Sequence, residues 1–186
     1  MGLVAERLSA PSITLEPLTV EHAEAMATVL ADPALYAVTG GEPPTTEELR
    51  DRYARQVRGM SPDGTEGWLN WIVVDAIDDQ PAGYVQATIR PDDDHDEAEL
   101  GWVIGTRWQG RGFATEAAQA VADWLEQQGI ATLVAHIRPG HRPSERVAES
   151  LGLQPSSVVQ DGEIRWIRSA DSARSPGPRS EGPRAG

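Results

Sequence analysis

The chain has 186 residues, with 16 basic and 29 acidic side chains and a net charge of -13, and this length fits one domain with a single core. The charge disfavours nucleic-acid partners and favours a cationic or amine partner. The absence of cysteine excludes disulfides and thiolate chemistry, and the absence of lysine excludes a Schiff-base lysine. No segment has the pattern of a membrane span or a signal peptide, so a cytoplasmic protein without a membrane partner is expected. A homodimer is among the states that the sequence allows.

The first half of the chain alternates strand and helix patterns that are separated by turn residues. The predicted elements are a strand at 13–17, a helix capped by Thr19 and stopped at Asp32, a helix from Thr45 or Thr46 to about Met60, and strands at 68–75 and 83–90. Pro17 predicts a sheet edge for the first strand because proline lacks the N–H donor. Residues 1–10 carry little that would anchor them. The strands at 68–75 and 83–90 are expected to form an antiparallel hairpin.

The second half contains one strand, helix, strand unit followed by a helix and a hairpin. The predicted elements are strands at 99–104 and 132–137 around a helix at 114–127, a helix at 144–151, and strands at 154–159 and 164–169. Residues 171–186 consist mainly of Ser, Pro, Gly, Arg and Ala, and are predicted to be a disordered tail after a domain at 1–170. The pattern indicates a mixed α/β domain with mainly antiparallel hairpins.

The loop between the central strand and its helix has the composition of an anion cradle. Gly110 and Gly112 allow positive φ and close approach of a ligand to the main chain. The following helix adds unpaired first-turn amides and the positive end of its dipole, which together suit a phosphate group. Arg107 and Arg111 add positive charge. The alternative is an ordinary strand-to-helix turn in which the glycines serve only geometry.

The remaining polar clusters do not predict a metal site. The acidic stretch at 92–97 is interpreted as a solvated loop, although a divalent cation is the alternative there. The histidines His22, His95 and His136 lack metal-ligand spacing, and a structural role is expected for each.

The order of elements and several motifs resemble the GNAT superfamily of acyl-CoA N-acetyltransferases. The superfamily pattern of Gln or Arg, two residues, Gly, one residue, and Gly or Ala is met by Gln109, Gly112 and Ala114. Residues 99–104 and 115–117 look like the RimJ/RimL-like branch, and 144–153 resemble its fourth helix and following turn, with Leu153 where Phe is usual. The resemblance covers about residues 13–170. It implies a single GNAT-type α/β (α+β) domain, with a mixed, mostly antiparallel sheet of about six to seven strands, four flanking helices and a splay between the two central parallel strands.

The resemblance also implies acetyl-CoA as the cofactor. The amides at 110–114 would hold the pyrophosphate, and the pantetheine arm would pair with the open edge of the central strand. The implied cofactor-binding residues are Trp102, Val103, Ile104, Gln109, Gly110, Arg111, Gly112, Phe113, Ala114, Thr115, His141 and Ser144. His141 departs from the family, which commonly has Asn at this place.

Two residues are predicted to act in catalysis. An amine attacks a thioester only when it is neutral, and Glu99 aligns with an acidic residue that serves as the base in the RimL-like branch. Many superfamily members use a Tyr to protonate the departing thiolate, but Ala148 occupies that place, so Ser144 is the predicted hydrogen-bond donor. The alternatives are an ordinary acid for Glu99 and a helix cap for Ser144.

The acceptor site is predicted from aromatic and acidic residues before the central strand. The predicted acceptor-binding residues are Tyr36, Glu42, Trp68 and Trp71, with Glu66 as a further acid that could help to cage a cationic amine. A core position is the alternative for each aromatic residue. The predicted function is acetyl transfer to a protein N-terminus or a small cationic amine such as a polyamine or an aminoglycoside, by direct attack in a ternary complex. A noncatalytic acyl-CoA sensor or scaffold is the rival hypothesis.

Overall fold

The computed structural model describes residues 2–38, 40–91 and 96–168. The strands are β1 (Leu8–Ser9), β2 (Ile13–Pro17), β3 (Gly67–Asp75), β4 (Pro81–Arg90), β5 (Glu97–Ile104), β6 (Thr132–Ile137), β7 (Gln154–Gln160) and β8 (Glu163–Arg168). The α-helices are α1 (Ala23–Val29), α2 (Thr46–Gln56), α3 (Phe113–Gln127) and α4 (Arg142–Ser150). The predicted tail at 171–186, His95 and most of the acidic stretch lie outside the described residues.

All eight strands join one sheet in the order β1-β2-β3-β4-β5-β6-β8-β7. The pair β5 and β6 is parallel and the other neighbouring pairs are antiparallel. The predicted fold class and the four helices are therefore confirmed. The strand count is eight rather than six to seven because Leu8 and Ser9 pair with Leu15 and Thr14.

The N-terminal segment is anchored, which corrects the expectation for residues 1–10. Besides the β1 pairing, the indole Nε1 of Trp71 donates a hydrogen bond to the carbonyl of Glu6 at 2.7 Å. A buried indole N–H needs an acceptor, and the N-terminal backbone supplies it.

The helix predicted after Thr19 begins with a 3-10 turn at Val20–His22 before α1. Two further helix boundaries differ from their predictions for local reasons. The α2 helix begins with a capping box between Thr45 and Glu48, as a Thr cap predicts, but it ends at Gln56 rather than near Met60. Gly59 has a φ of 75° and turns the chain so that Met60 forms a bridge with Gly67. The α4 helix starts two residues earlier than predicted, with a proline in its first turn, where the missing N–H costs nothing.

The helices α2 and α3 cover opposite faces of the sheet. Alternation along β3 sends Trp71 towards α3, where its ring meets Trp124 edge-on at 5.7 Å between centroids. The neighbouring Asn70 projects to the other face and accepts a hydrogen bond from Gln56 of α2 at 3.1 Å. Among the described residues, no helix combines the length and apolar composition of a membrane span.

The two central strands part after three residue pairs. The β5–β6 pairing runs from Glu97 with Thr132 to Glu99 with Val134 and then stops, although both strands continue. On its other side β5 stays paired with β4 as far as Ile104. The predicted splay is therefore present, and it leaves one edge of β5 open from Leu100 onward.

Candidate active site

The loop before α3 presents a row of main-chain donors to open space. The amides from Gly110 to Thr115 have no acceptor among the described residues, and the next amide, that of Glu116, bonds to the carbonyl of Gly112 at 3.0 Å. Gly110 and Gly112 have φ values of 76° and 85°, and a Cβ at either position would meet nothing within 4 Å. Free amides, a helix N-terminus and open space together fit the phosphate groups of a nucleotide-type cofactor.

The side chains of Gln109 and Arg111 in this loop already contact other groups of the protein. The Nη1 atom of Arg111 lies 2.6 Å from Oδ2 of Asp75, and its guanidinium carbon lies 4.4 Å from the centre of the Phe113 ring. Asp75 is only 1% exposed, and a buried carboxylate requires such a partner. Gln109 uses its side-chain amide to bond the carbonyl of Ile104 at 3.0 Å. The cradle's donors are therefore main-chain amides, and Arg111 contributes its amide rather than its charge.

The open edge of β5 leads to this cradle. Trp102, Val103 and Ile104 occupy the stretch of β5 that lacks a partner on the β6 side. An extended ligand with amide groups can pair with such an edge as an added strand would. The predicted cofactor residues of β5 and of the glycine loop are thus brought together along one path.

Glu99 sits at the last residue pair before the strands part, within a charged network. Its Oε1 lies 2.9 Å from Nδ1 of His136, and its Oε2 is bonded by Nη1 of Arg90. The Nε atom of Arg90 also contacts Oε1 of Glu66 at 2.7 Å. Indole Nε1 of Trp68 donates to the other oxygen of Glu66 at 3.2 Å. Two carboxylates therefore share one arginine next to the splay.

The network keeps Glu99 ionised. Burial acts to raise the pKa of Glu99, but the hydrogen bonds from Arg90 and His136 outweigh burial and hold that pKa below the ordinary glutamate value. A carboxylate with a lowered pKa is a weak proton acceptor on its own. Its strongest effect on a reaction is therefore exerted through the groups that it contacts.

His136 is a site residue that the sequence prediction missed. It lies on β6 two residues beyond the last pair with β5, and its Nε2 atom is buried and has no hydrogen-bond partner within the described part of the chain. An ionised carboxylate on Nδ1 favours a hydrogen on that nitrogen and leaves the lone pair on Nε2. The sequence pattern gave His136 only a strand position, and its partner Glu99 is 37 residues away along the chain.

His141 and Ser144 lie together at the start of α4. The Nδ1 atom of His141 is 2.9 Å from Oγ of Ser144, and His141 rather than Ser144 is the N-cap residue. The carbonyl of His141 accepts the amides of Ser144 and Glu145 at 3.0 and 3.1 Å. The capping alternative for Ser144 is therefore excluded, and its hydroxyl is free to act beyond the contact with His141. Ala148, where many superfamily members have Tyr, is fully buried.

The predicted acidic cage for a cationic amine is not assembled. Trp71 is fully buried in the core, which corrects its prediction as an acceptor-binding residue. Glu66 is paired with Arg90, and the Tyr36 hydroxyl donates to the carbonyl of Leu30 at 3.0 Å. Glu42 is exposed in the loop before α2 and, among the described residues, forms no hydrogen bond or ion pair with these groups. Within the described residues, no cluster of His, Asp and Glu side chains is arranged to hold a metal ion.

A groove lies instead between α2 and the end of the hairpin β3–β4 that is remote from its turn. Its volume is about 220 Å³, and it is lined by Arg52, Arg55, Gln56, Trp68, Gln86 and Thr88, among others. A smaller cavity of about 50 Å³ next to it is bordered by Tyr53 and Tyr84. Of the four predicted acceptor residues, only Trp68 lines the larger groove.

A splayed sheet whose open edge leads to a row of free amides is the layout of an enzyme that binds an extended ligand with an anionic end. The sequence profile of the acetyltransferase (GNAT) domain family matches residues 12–154, most of the chain. The chain therefore belongs to the GNAT family of acetyltransferases. The enzyme class predicted from the sequence, an acetyl-CoA-dependent N-acetyltransferase, is confirmed.

Two curated relatives are uncharacterized proteins of Bacillus. The N-acetyltransferase p20 of Bacillus licheniformis is 24% identical over 159 residues, which covers 85% of this chain and 88% of p20. The N-acetyltransferase YnaD of Bacillus subtilis is 33% identical over 57 residues, so the match spans only 34% of YnaD and 30% of this chain.

Solved structures share the fold at low sequence identity. The RimL ribosomal L7/L12 alpha-N-protein acetyltransferase in complex with coenzyme A superposes with a TM-score of 0.72 at 16% identity, covering 90% of this chain and 99% of RimL. The aminoglycoside acetyltransferase AAC(6')-Ib, also in complex with coenzyme A, gives a TM-score of 0.69 at 15% identity, covering 87% and 96%. At these identities the comparison shows the fold alone.

Proposed function

We propose that the protein transfers an acetyl group from acetyl-CoA to a primary amine by direct attack within a ternary complex. The observation that carries this proposal is the continuity of the open β5 edge with the free amides at Gly110 to Thr115. The amides fit the pyrophosphate of coenzyme A, and the main chain of Trp102 to Ile104 fits the amide-bearing pantetheine arm. The acyl end is then held where β5 and β6 part.

The reaction needs an activated acetyl group and a neutral amine. Acetyl-CoA supplies the acetyl thioester, and attack by the amine nitrogen forms an amide bond while the carbon–sulfur bond breaks and the coenzyme A thiol leaves. The protein must accept one proton from the ammonium and supply one to the sulfur. A main-chain N–H at the open edge of β5 is suited to stabilise the oxyanion of the tetrahedral intermediate.

The pair Glu99 and His136 is the proposed acceptor of the ammonium proton. Glu99 remains the predicted acidic residue of the site, but its lowered pKa favours a role through His136, whose Nε2 lone pair is unpartnered. Because Nε2 is buried, the proton reaches it through one water, and Glu99 stabilises the imidazolium that forms. Glu99 is then a positioning residue, and His136 is the base.

Ser144 is the proposed donor to the leaving sulfur. Its hydroxyl lies at the first turn of α4 and is oriented by Nδ1 of His141 at 2.9 Å. Ala148 offers no hydroxyl, and the hydroxyl of Ser150 donates to the carbonyl of Val147 at 2.6 Å, so Ser144 is the remaining serine hydroxyl on this helix.

The RimJ/RimL-like branch is the proposed position of the chain within the family. The motifs at 99–104, 115–117 and 144–153 support this assignment, and the fold similarity to RimL agrees with it. RimL is named as an alpha-N-protein acetyltransferase, so the acceptor that its name gives is a protein N-terminus. A protein N-terminus and a small amine are both retained as acceptors for this chain.

The test is turnover across a panel of amines. Purified protein is incubated with acetyl-CoA and peptides with free N-termini, amino acids, polyamines or aminoglycosides, and thiol release is measured together with the mass of the product. A mass gain of one acetyl group on at least one amine supports the proposal. Background thiol release with every amine, while acetyl-CoA still raises the melting temperature, would favour the noncatalytic sensor instead.

A further inference from the structure

The groove beside α2 has an electrostatic character opposite to that of the whole chain. Arg52 and Arg55 project from α2 into a groove of about 220 Å³, and neither forms an ion pair with any described residue. The chain as a whole carries a net charge of -13, so two unpaired cations facing one groove are a local concentration of positive charge.

The acids near this groove are already engaged. Glu48, one turn before Arg52 on α2, bonds the amide and hydroxyl of Thr45 in the capping box. Glu66 and Glu99 are both bonded by Arg90. The pKa of Glu48 is lowered by its bonds with Thr45 and also by the charge of Arg52, but no carboxylate among the described residues forms an ion pair with Arg52 or Arg55. The hydrogen-bond donors of both guanidinium groups are therefore left to bind an anion.

A buried hydroxyl next to the groove also lacks a partner. Tyr53 is 4% exposed and borders the adjoining cavity together with Arg52, and its hydroxyl has no hydrogen-bond partner among the described residues. Burial raises the pKa of Tyr53 to about 12, so the hydroxyl keeps its hydrogen at neutral pH and remains a donor. A buried donor without an acceptor costs stability, and a bound anion is one acceptor that would satisfy it.

The groove lies on the face of the sheet that leads to the reaction site. Gln86 and Thr88 of β4 line the groove and pair across the sheet with Gly101 and Glu99 of β5. Directly paired residues project to the same face, so the groove and Glu99 share one face and are one strand apart. Gln86 also lies over Gly101, where an added Cβ would be 3.4 Å from Gln86 Cγ.

We propose that this groove binds the acceptor and that the acceptor is a primary amine carrying an anionic group, a carboxylate or a phosphate, which Arg52 and Arg55 bind. This inference rests on the proposed acetyl transfer and names the substrate class for it. Guanidinium groups match carboxylate and phosphate geometry with paired hydrogen bonds, and the neutral amides of Gln56 and Gln86 complete a polar lining. Polyamines and aminoglycosides are disfavoured because they would bring further positive charge to the two arginines.

The first experiment compares amines in matched pairs that differ only in the anion. Suitable pairs are β-alanine with its amide, phosphoethanolamine with ethanolamine, and the C-terminally amidated dipeptides Ser-Glu-amide and Ser-Gln-amide. We expect kcat/KM to be about tenfold or more higher for the anionic member of at least one pair. The pair with the largest ratio distinguishes a small carboxylate, a phosphate and an acidic peptide. Equal rates within every pair, or a preference for spermidine or kanamycin, would overturn the inference while leaving acetyl transfer intact.

The second experiment removes the positive charge from the groove. The double variant Arg52→Gln and Arg55→Gln should raise KM for the preferred anionic amine by about tenfold or more, with kcat and the KM for acetyl-CoA little changed. Arg50→Gln is the matched control because Arg50 is also exposed on α2 but does not line the groove. An equal effect of the control variant, or no effect of the double variant, contradicts the assignment.

A binding measurement separates this inference from the proposed function. If no amine is acetylated, the proposed function fails, and calorimetric titrations with phosphoethanolamine and with β-alanine in the presence of coenzyme A then decide about the groove. Binding that is lost in the double variant and kept in Arg50→Gln supports an anion site. No binding to the wild-type protein overturns it.

Discussion

Glu99 and His136 come from the two strands that part, and Oε1 of Glu99 lies 2.9 Å from Nδ1 of His136 where the splay begins. The pairing of a carboxylate with one imidazole nitrogen leaves the other nitrogen as the acceptor, and that second nitrogen is buried and unpartnered. This contact supports the role of Glu99 as the residue that orients His136. It also adds His136, which the sequence did not single out, to the proposed site.

Replacement of His136 tests this relationship directly. In His136→Asn the side-chain amide can still donate to Glu99, but the Nε2 lone pair is gone, so kcat should fall by about 100-fold or more near neutral pH. The measurement is a pH–rate profile, in which the variant should also lose the limb that depends on the base.

His22→Asn is the control for that variant, because His22 is bonded to Thr19 at the start of the α1 region, far along the chain from the splay. Nitrogen chemical shifts of the wild-type imidazole provide a readout that does not depend on turnover, and they should report hydrogen on Nδ1 and none on Nε2. A hydrogen on Nε2, or an unchanged profile in His136→Asn, would sink the assignment.

The lowered pKa of Glu99 makes a prediction about stability and pH. A group whose pKa is lower in the folded chain stabilises the fold fully above its ordinary value of about 4.5, and this contribution is lost as the pH falls through the folded pKa. Glu99→Gln should therefore lower the melting temperature at pH 6 to 7, and the difference from wild type should shrink below about pH 4.5. Thermal melts between pH 3 and pH 7 measure it, with the exposed Glu149→Gln as the comparison. A difference that is independent of pH would contradict the network.

The anion cradle is tested at Gly112. Gly112→Asp places a carboxylate in the open space before the free amides, so binding of acetyl-CoA should become undetectable by calorimetry. The substitution also strains a backbone with φ of 85°, by about 1 to 2 kcal/mol. Gly162→Asp in the β7–β8 turn carries the same kind of strain, with φ of 82° and open space, and should bind acetyl-CoA normally. Unchanged affinity in Gly112→Asp would remove the cradle assignment.

Ser144 and His141 can be separated by kinetics. Ser144→Ala removes the proposed donor to the sulfur and should lower kcat by about 10- to 100-fold, with little change in KM for acetyl-CoA. His141→Asn restores the residue that the family commonly has and should keep kcat close to wild type. If Ser144→Ala retains full kcat while His141→Asn loses it, the hydroxyl is dispensable and His141 itself is the residue that the reaction needs.

The two tryptophans of β3 should respond differently to truncation. Trp71 is fully buried against α3, so Trp71→Ala should cost about 3 to 5 kcal/mol in the free energy of unfolding. Trp68 lines the groove and is partly exposed, so Trp68→Ala should cost far less stability and instead raise KM for the acceptor. Urea unfolding and steady-state kinetics measure the two effects, and a stable Trp71→Ala with a raised acceptor KM would reverse the assignment.

The order of elements could be predicted because the spacing of apolar residues and the positions of turn residues indicate the same helices and strands along most of the chain. Apolar runs rich in β-branched residues mark β3 and β6, and alternation marks β2. Gly129 and Gly152 end helices where their positive φ values permit it. The glycine loop was predictable for the same reason, since positive φ and free amides are local properties. The splay followed from the family resemblance, because no local pattern encodes the loss of pairing between two strands.

The missed features depend on residues that are distant in sequence. His136 contacts Glu99, which is 37 residues away along the chain, and Arg111 contacts Asp75, which is 36 residues away. The Trp71 assignment was avoidable, because Trp68 and Trp71 are three apart on a strand and so project to opposite faces. The unpaired state of Arg52 and Arg55 could not be predicted, since it depends on which acids the fold engages elsewhere.

The parting of β5 from β6 has a consequence for how the molecule exchanges its amide hydrogens. Between Leu100 and Ile104, the β5 amides that point away from β4 lack the partner that an uninterrupted sheet would give them, although the strand lies at the centre of the domain. In solution they should exchange with deuterium far faster than their neighbours in β3 and β4, and slow down when a pantetheine chain occupies the edge. Deuterium exchange at a few backbone amides of β5 therefore measures whether a pantetheine chain occupies the edge, and no dye or other group has to be attached to the protein.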